Sequence, residues 1–227
     1  MRSKLIEGGW PEGKVEALQN FADDAILARA SGVADDVTDR ESPYLLFFGR
    51  LSAEKGVDTL LRAFDLAASS LPQHMRLVVV GDGPDAVECK NLAASLDCAS
   101  RIEFAGYQSG NVLQEYVERA SFAIASSQWR ENMPYSIVEA FAAGTPVVGT
   151  RIGGIPELVA EGVTGFVCEP GDVSSMARAI VRAVEAFSVP TSYAGLQGNC
   201  RSYVRENCSR EKFMSQLVTL YEEIANG

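Results

Sequence analysis

Two glutamates in E-x7-E spacing, Glu131 and Glu139, lie in "ENMPYSIVEAFAAGTPVVG" (131–149), a stretch that otherwise reads as buried helix running into buried strand. Ile137, Val138, Ala140, Phe141 and Ala142 flank Glu139. A carboxylate among such neighbours is costly unless it is hydrogen-bonded or paired. Two kinds of partner meet that need: the vicinal hydroxyls of a ligand, such as a ribose, or an arginine inside the fold. Earlier in the chain, "GRLSAEKG" (49–56) turns at Gly49 and is bracketed by Arg50 and Lys55. In "GDGPD" (81–85), Gly81 and Gly83 let the backbone come close to a ligand, and Pro84 suits a first helical residue. A basic pair on one loop and a helix N-terminus on another are what a diphosphate requires. Two carboxylates alone could also act as acid and nucleophile on a glycoside, but that chemistry does not call for Arg50, Lys55 or the glycines.

These residues need a scaffold that gathers distant loops. Apolar runs of strand length recur at 44–49, 75–81, 101–106, 121–126, 146–150 and 164–168. Helical patterns separate them at 55–70, 84–97, 111–119, 134–143, 154–161 and 172–187. The alternation predicts an α/β fold, a Rossmann-like doubly wound parallel sheet covered on both faces. Ligands of such sheets bind outside the carboxyl ends of the strands, and the loops 49–56, 81–85 and 126–136 follow the first, second and fourth strands. With Pro134 near a helix start, Glu131 falls in the loop above the sheet and Glu139 in the second helical turn, within reach of the same crevice. In "SREKFMSQLVTLYEEIANG" (209–227), Ser209 reads as an N-cap, with Phe213, Leu217, Leu220 and Ile224 on one stripe of a terminal helix. Residues 22–41 are acidic, lack a sustained apolar period and read as a connection rather than a core element.

The formal charge of −10, from 20 Lys+Arg against 30 Asp+Glu, argues against nucleic acid as a partner, so an anionic ligand needs a local positive site. The five cysteines show no C-x-x-C spacing, which fits a reducing compartment and speaks against zinc or a disulfide framework. No apolar run approaches spanning length and "MRSKLIEGGW" has no signal-peptide core, so the expected location is cytoplasmic. The one histidine, His74, precedes a strand and reads as an edge residue, not a catalytic base.

The motifs together resemble the C-terminal, donor-binding half of family 4 (group 1) glycosyltransferases of the GT-B fold. The resemblance runs from about residue 42 to the end, through "FFGRLSAEKGVDTLLRAF", "RLVVVGDGP", "RIEFAGY", the Glu131/Glu139 pair with "EAFAAGTPVVGT", "GGIPELV" and "GVTGFVCEPGD". It implies transfer of a sugar, of the hexosyltransferase type, from a nucleotide-diphosphate sugar to an acceptor, with retained configuration and without a metal or cofactor. Arg50 and Lys55 would bind the diphosphate, Glu139 the ribose hydroxyls and Glu131 the donor sugar, so that Arg50, Lys55 and Glu131 carry catalysis. Gly49, Gly81, Gly83, Asn132, Met133, Tyr135, Ile137 and Val138 would complete the donor site, with Tyr107 beside the base. One departure concerns the loop after Glu131, often glycine-rich in the family but here "ENMPYS", where Pro134 has no N–H to offer the sugar.

The implied organisation is a remnant of an interdomain segment with an acidic linker (1–41), a nucleotide-sugar-binding Rossmann-like domain (42–190) and C-terminal helices (191–227). An acceptor glycan or glycolipid would be held by an N-terminal domain or partner chain, through which alone a membrane surface could be met. A non-catalytic nucleotide-sugar-binding module or subunit is the alternative.

Overall fold

The computed structural model describes residues 2–22, 24–31 and 43–226. Six strands form one sheet: β1 (Tyr44–Phe48), β2 (Arg76–Val80), β3 (Ile102–Gly106), β4 (Phe122–Ala125), β5 (Val147–Thr150) and β6 (Gly165–Cys168). All neighbours pair in parallel, in the order β3-β2-β1-β4-β5-β6. Ten α-helices surround it among the described residues: α1 (Arg2–Glu7), α2 (Asp24–Ala30), α3 (Val57–Ala67), α4 (Ala86–Ala94), α5 (Gly110–Arg119), α6 (Tyr135–Ala143), α7 (Ile155–Leu158), α8 (Val173–Phe187), α9 (Pro190–Asn207) and α10 (Arg210–Asn226). This is the expected doubly wound Rossmann-like sheet.

The strands alternate between two cores, as the period of two demands. Leu45, Phe47, Leu77 and Val79 face one way, under α3, α4 and α8. Leu46, Phe48, Val78 and Val80 face the other, under α2, α6 and α7. Helix α9 contributes to both, through Tyr193 and Leu196 on one side and Cys200 and Val204 on the other. Its Tyr193 hydroxyl donates to the Ser121 carbonyl at 2.7 Å, which satisfies the phenol inside the core.

Since β1 leads into α3 on one face and its neighbour β4 leads into α6 on the other, the order reverses between them. The crevice at such a switch point is where open α/β sheets take ligands. The expected loops 49–56 and 126–136 therefore flank one opening.

Several expectations are corrected. Residues 24–30 are helix, not connection: Ala22, Ile26 and Ala30, spaced four apart, are buried against α6 and α9. Small alanines give such a stripe almost no hydrophobic signal. The remainder of that stretch, 32–41, lies outside the described residues. Pro84 sits in a turn and α4 begins at Ala86, with Asp85 as its N-cap residue. The helix expected over 154–161 is only the single turn Ile155–Leu158. Ser209 caps α10 as anticipated, its Oγ accepting from the Lys212 N–H at 3.1 Å. Phe213 of the anticipated stripe packs against Phe21 in a tilted ring pair with centroids 5.0 Å apart, but Ile224 at the far end is 77% exposed.

All five cysteines are free and buried. Burial pushes their thiols up, to about 11 for Cys89 and Cys208 and about 12 for Cys98 and Cys168, with Cys200 raised as well.

Candidate functional site

The loop after β1 forms a single 3-10 turn, Ala53–Lys55, closed by Gly56 in the left-handed region (φ 62°). Gly56 does more than turn the chain, for a Cβ there would stand 2.4 Å from the Ser126 carbonyl oxygen. The close approach lets this loop bind the one after β4. The Ser126 hydroxyl donates to the Lys55 carbonyl at 2.7 Å, the Gln128 N–H to the Glu54 carbonyl at 2.8 Å, and the Gln128 amide to the Thr59 hydroxyl at 2.8 Å.

Across this junction Lys55 Nζ meets Glu131 Oε1 at 2.6 Å. The two side chains are 30% and 20% exposed, so the pair is partly buried and still reached by solvent. The Ser127 hydroxyl donates to the same carboxylate oxygen. Ser127 is buried, and its carbonyl accepts from the Thr150 hydroxyl at 2.7 Å. The Glu131 backbone is fixed from another side by a bond from the Gly154 N–H to its carbonyl at 2.6 Å. A Cβ on Gly154 would stand 1.7 Å from the Asn132 carbonyl oxygen, and one on Gly153 2.4 Å from that of Glu131. "GGIPELV" is thus the buttress of the Glu131 loop.

Arg50 is exposed on the loop after β1, close enough to act with Lys55 on Glu54. The Glu54 carboxyl is held below its usual range first by the Ser52 hydroxyl, which donates to it at 2.7 Å, with Arg50 and Lys55 adding to the effect. The structure therefore brings Arg50, Lys55 and Glu131 to one end of the sheet.

The glycines of the loop after β2 have another use than the one expected. A Cβ on Gly81 would stand 1.8 Å from the Gly49 carbonyl oxygen and one on Gly83 2.2 Å from that of Leu51. Their bareness lets this loop pack on residues 49–51, where Leu51 N–H donates to Asp82 at 2.9 Å and Asp85 N–H to Leu51 at 3.0 Å. With Asp85 N–H bonded to Leu51 and Ala86 N–H to Gly83, amides at the start of α4 serve the loop itself.

Glu139 stands on the flank of α6 and is half-buried. It lines a hollow of about 200 Å³ together with Ile26, Gly110, Asn111 and Gln114. Tyr107, between β3 and α5, is 73% exposed. Asn132 and Met133 line a larger hollow of about 480 Å³, closed by Leu5, Val15 and Leu158. Tyr135 donates its hydroxyl to the Phe21 carbonyl at 3.1 Å. The side chains of Ile137 and Val138 point into the core, which leaves only their main chain for any ligand. Sequence reasoning missed Ser127 and Thr150; a hydroxyl four residues before a site carboxylate is a signal too common to single out.

The family model for glycosyl transferases group 1 matches residues 34–188. The N-acetyl-alpha-D-glucosaminyl L-malate synthase of Bacillus anthracis is 26% identical over 222 residues, 94% of this chain and 55% of that protein. The lipopolysaccharide 1,2-N-acetylglucosaminetransferase of Salmonella typhimurium is 34% identical over 166 residues, 70% of this chain and 42% of that protein. Among solved structures, Anabaena Alr3699/HepE in complex with UDP superimposes with a TM-score of 0.81 at 21% identity, covering 98% of this chain and 61% of the other. The chain spans about half the length of the curated relatives it matches.

Proposed function

Because the chain belongs to the group 1 glycosyl transferases, we propose that it forms the donor-binding half of an enzyme that transfers a sugar from a nucleotide-diphosphate sugar to an acceptor. The observation that carries this reading is the meeting of Lys55 and Glu131 at the switch point, with Arg50 on the same loop as Lys55. Two cations suit a diphosphate and a carboxylate suits sugar hydroxyls. Glu139, on the hollow between α2, α5 and α6, is assigned to the ribose hydroxyls and Tyr107 to the neighbourhood of the base. The related Alr3699/HepE was crystallised with UDP and with UDP-glucose, which supports a donor of this class here.

In this reading, Arg50 and Lys55 neutralise the charge that develops on the departing diphosphate, work that a metal would otherwise do. Glu131 orients the sugar, and transfer retains its configuration. The acceptor, a glycan or glycolipid, is held largely by the part of the enzyme beyond this chain's match to its relatives.

A thermal-shift panel of UDP-, GDP- and ADP-sugars on the 227-residue chain tests the proposal. One nucleotide class is expected to raise the midpoint. Arg50→Ala is expected to weaken nucleoside diphosphate binding by about 1.5–3 kcal/mol, as for a charge-assisted bond, while nucleoside binding hardly changes. Equal losses for nucleoside and diphosphate would assign Arg50 to the fold instead.

A further inference from the structure

The Lys55–Glu131 contact joins two groups that the proposed reading assigns to different parts of one ligand, Lys55 to the diphosphate and Glu131 to the sugar. We infer that Glu131 is an internal competitor for Lys55, and that the site thereby favours the intact nucleotide-sugar over the nucleoside diphosphate left after transfer. The inference rests on the proposed donor site.

The geometry restricts how the pair can part. Lys55 is held by its backbone, whose carbonyl accepts from Ser126 at 2.7 Å and whose N–H donates to Ser52 at 2.9 Å. Glu131 is held likewise through the 2.6 Å bond from Gly154. Any exchange of partners must come from the side chains alone. A single ion pair that solvent still reaches, its side chains 30% and 20% exposed, is weak enough for a multiply charged diphosphate to break, yet strong enough to move an affinity severalfold.

When a bare nucleoside diphosphate enters, its phosphates and Glu131 claim the same ammonium, and the carboxylate loses its cation while a second anion arrives beside it. When the sugar comes attached, its hydroxyls donate to Glu131 and replace what Lys55 supplied. Lys55 then turns to the diphosphate without leaving a bare carboxylate behind. Sugar and diphosphate thus help one another bind, as a coupling between adjacent subsites. The Ser127 hydroxyl donates to Glu131 Oε1 and can do so before and after the exchange, so Ser127 is a positioning residue that keeps the carboxylate aimed at the sugar. Once the sugar has been transferred, the ion pair re-forms and speeds departure of the product.

Calorimetric titration of the 227-residue chain with UDP, GDP and ADP, each against its glucose conjugate, tests this. Stoichiometry counts the folded molecules in every variant. Glu131→Gln keeps an oxygen for Ser127 but no charge for Lys55. It is expected to bind the bare diphosphate roughly two- to fivefold tighter, the range of a solvent-reached ion pair, and the sugar conjugate more weakly. Ser127→Ala is expected to keep the affinity for the diphosphate and lose part of the preference for the conjugate. Unchanged or weaker diphosphate binding by Glu131→Gln overturns the inference. Should that variant not fold, equal losses for both ligands in Ser127→Ala overturn it. Failure of the unmodified chain to bind any of these ligands, or indifference to Arg50→Ala, overturns the donor site itself.

Discussion

The two carboxylates of the E-x7-E pair occupy surroundings built on different principles. Around Glu131, main chain meets main chain: glycines at 56, 153 and 154 allow loops to approach within distances no side chain would tolerate. The Ser127 hydroxyl and the Lys55 ammonium then fix the carboxylate. Around Glu139, the position follows from helical periodicity, which sets the residue on the flank of α6 toward a hollow walled by α5 and α2. The first region is preorganised by interlocking, the second by the packing of separate helices. Interlocked loops should transmit a small steric insult directly to the site. A hollow between helices should absorb it.

The largest expected effect comes from Gly154→Ala. Its φ of −88° suits alanine, so the cost is wholly the overlap with the Asn132 carbonyl. A loss of about 3 kcal/mol in denaturant-derived stability is expected, at the high end for overpacking because backbone must move, with donor binding lost in the molecules that remain folded. A stable variant with intact binding would show that the Glu131 loop is not interlocked.

Next comes Glu139→Gln, which keeps shape and removes charge. Nucleoside diphosphate affinity per folded molecule is expected to fall by about 1–3 kcal/mol through the weakened bonds to ribose, read by calorimetric titration beside the unfolding midpoint. A lowered midpoint with intact affinity would instead assign Glu139 to a structural pair, whose breakage leaves a cation unmatched.

The smallest effect is expected from Gly110→Ala, the counterpart of the first change on the Glu139 side. Gly110 has φ 57° and nothing within 4 Å of an added Cβ, so only the left-handed conformation is penalised. Stability should fall by about 1 kcal/mol. A loss as large as that of Gly154→Ala, read from the same denaturant curves, would erase the distinction between the two regions.

How much of this was legible in the sequence depends on the range of the cause. The strands were readable because runs such as "YLLFF" and "RLVVV" are buried on both sides, and the loops that follow them were placed by the rule of strand ends. Arg50, Lys55 and Glu131 could be assigned to one opening on that basis. The direct contact of Lys55 with Glu131 could not, since it depends on the register between two loops 76 residues apart along the chain. Gly81 and Gly83 illustrate the same limit. Their small size was read as room for a ligand, whereas the space is taken by the Gly49–Leu51 backbone. Helix α2 went unread because the buried stripe it continues, Ala22, Ile26 and Ala30, has alanine at two of its three positions.

The buried cysteines described with the fold have a practical consequence. Modification of a thiol requires the thiolate, and five buried thiols with raised pKa values stay neutral and shielded at neutral pH. An alkylating reagent can therefore enter only when the surroundings of a given cysteine open. Cys89 and Cys98 watch the α4 side of the sheet, Cys168 the end of β6, and Cys200 and Cys208 the seam between α9 and the opposite core. The native sequence thus carries its own site-resolved chemical clock, whose alkylation rates report the free energy of local opening in each layer.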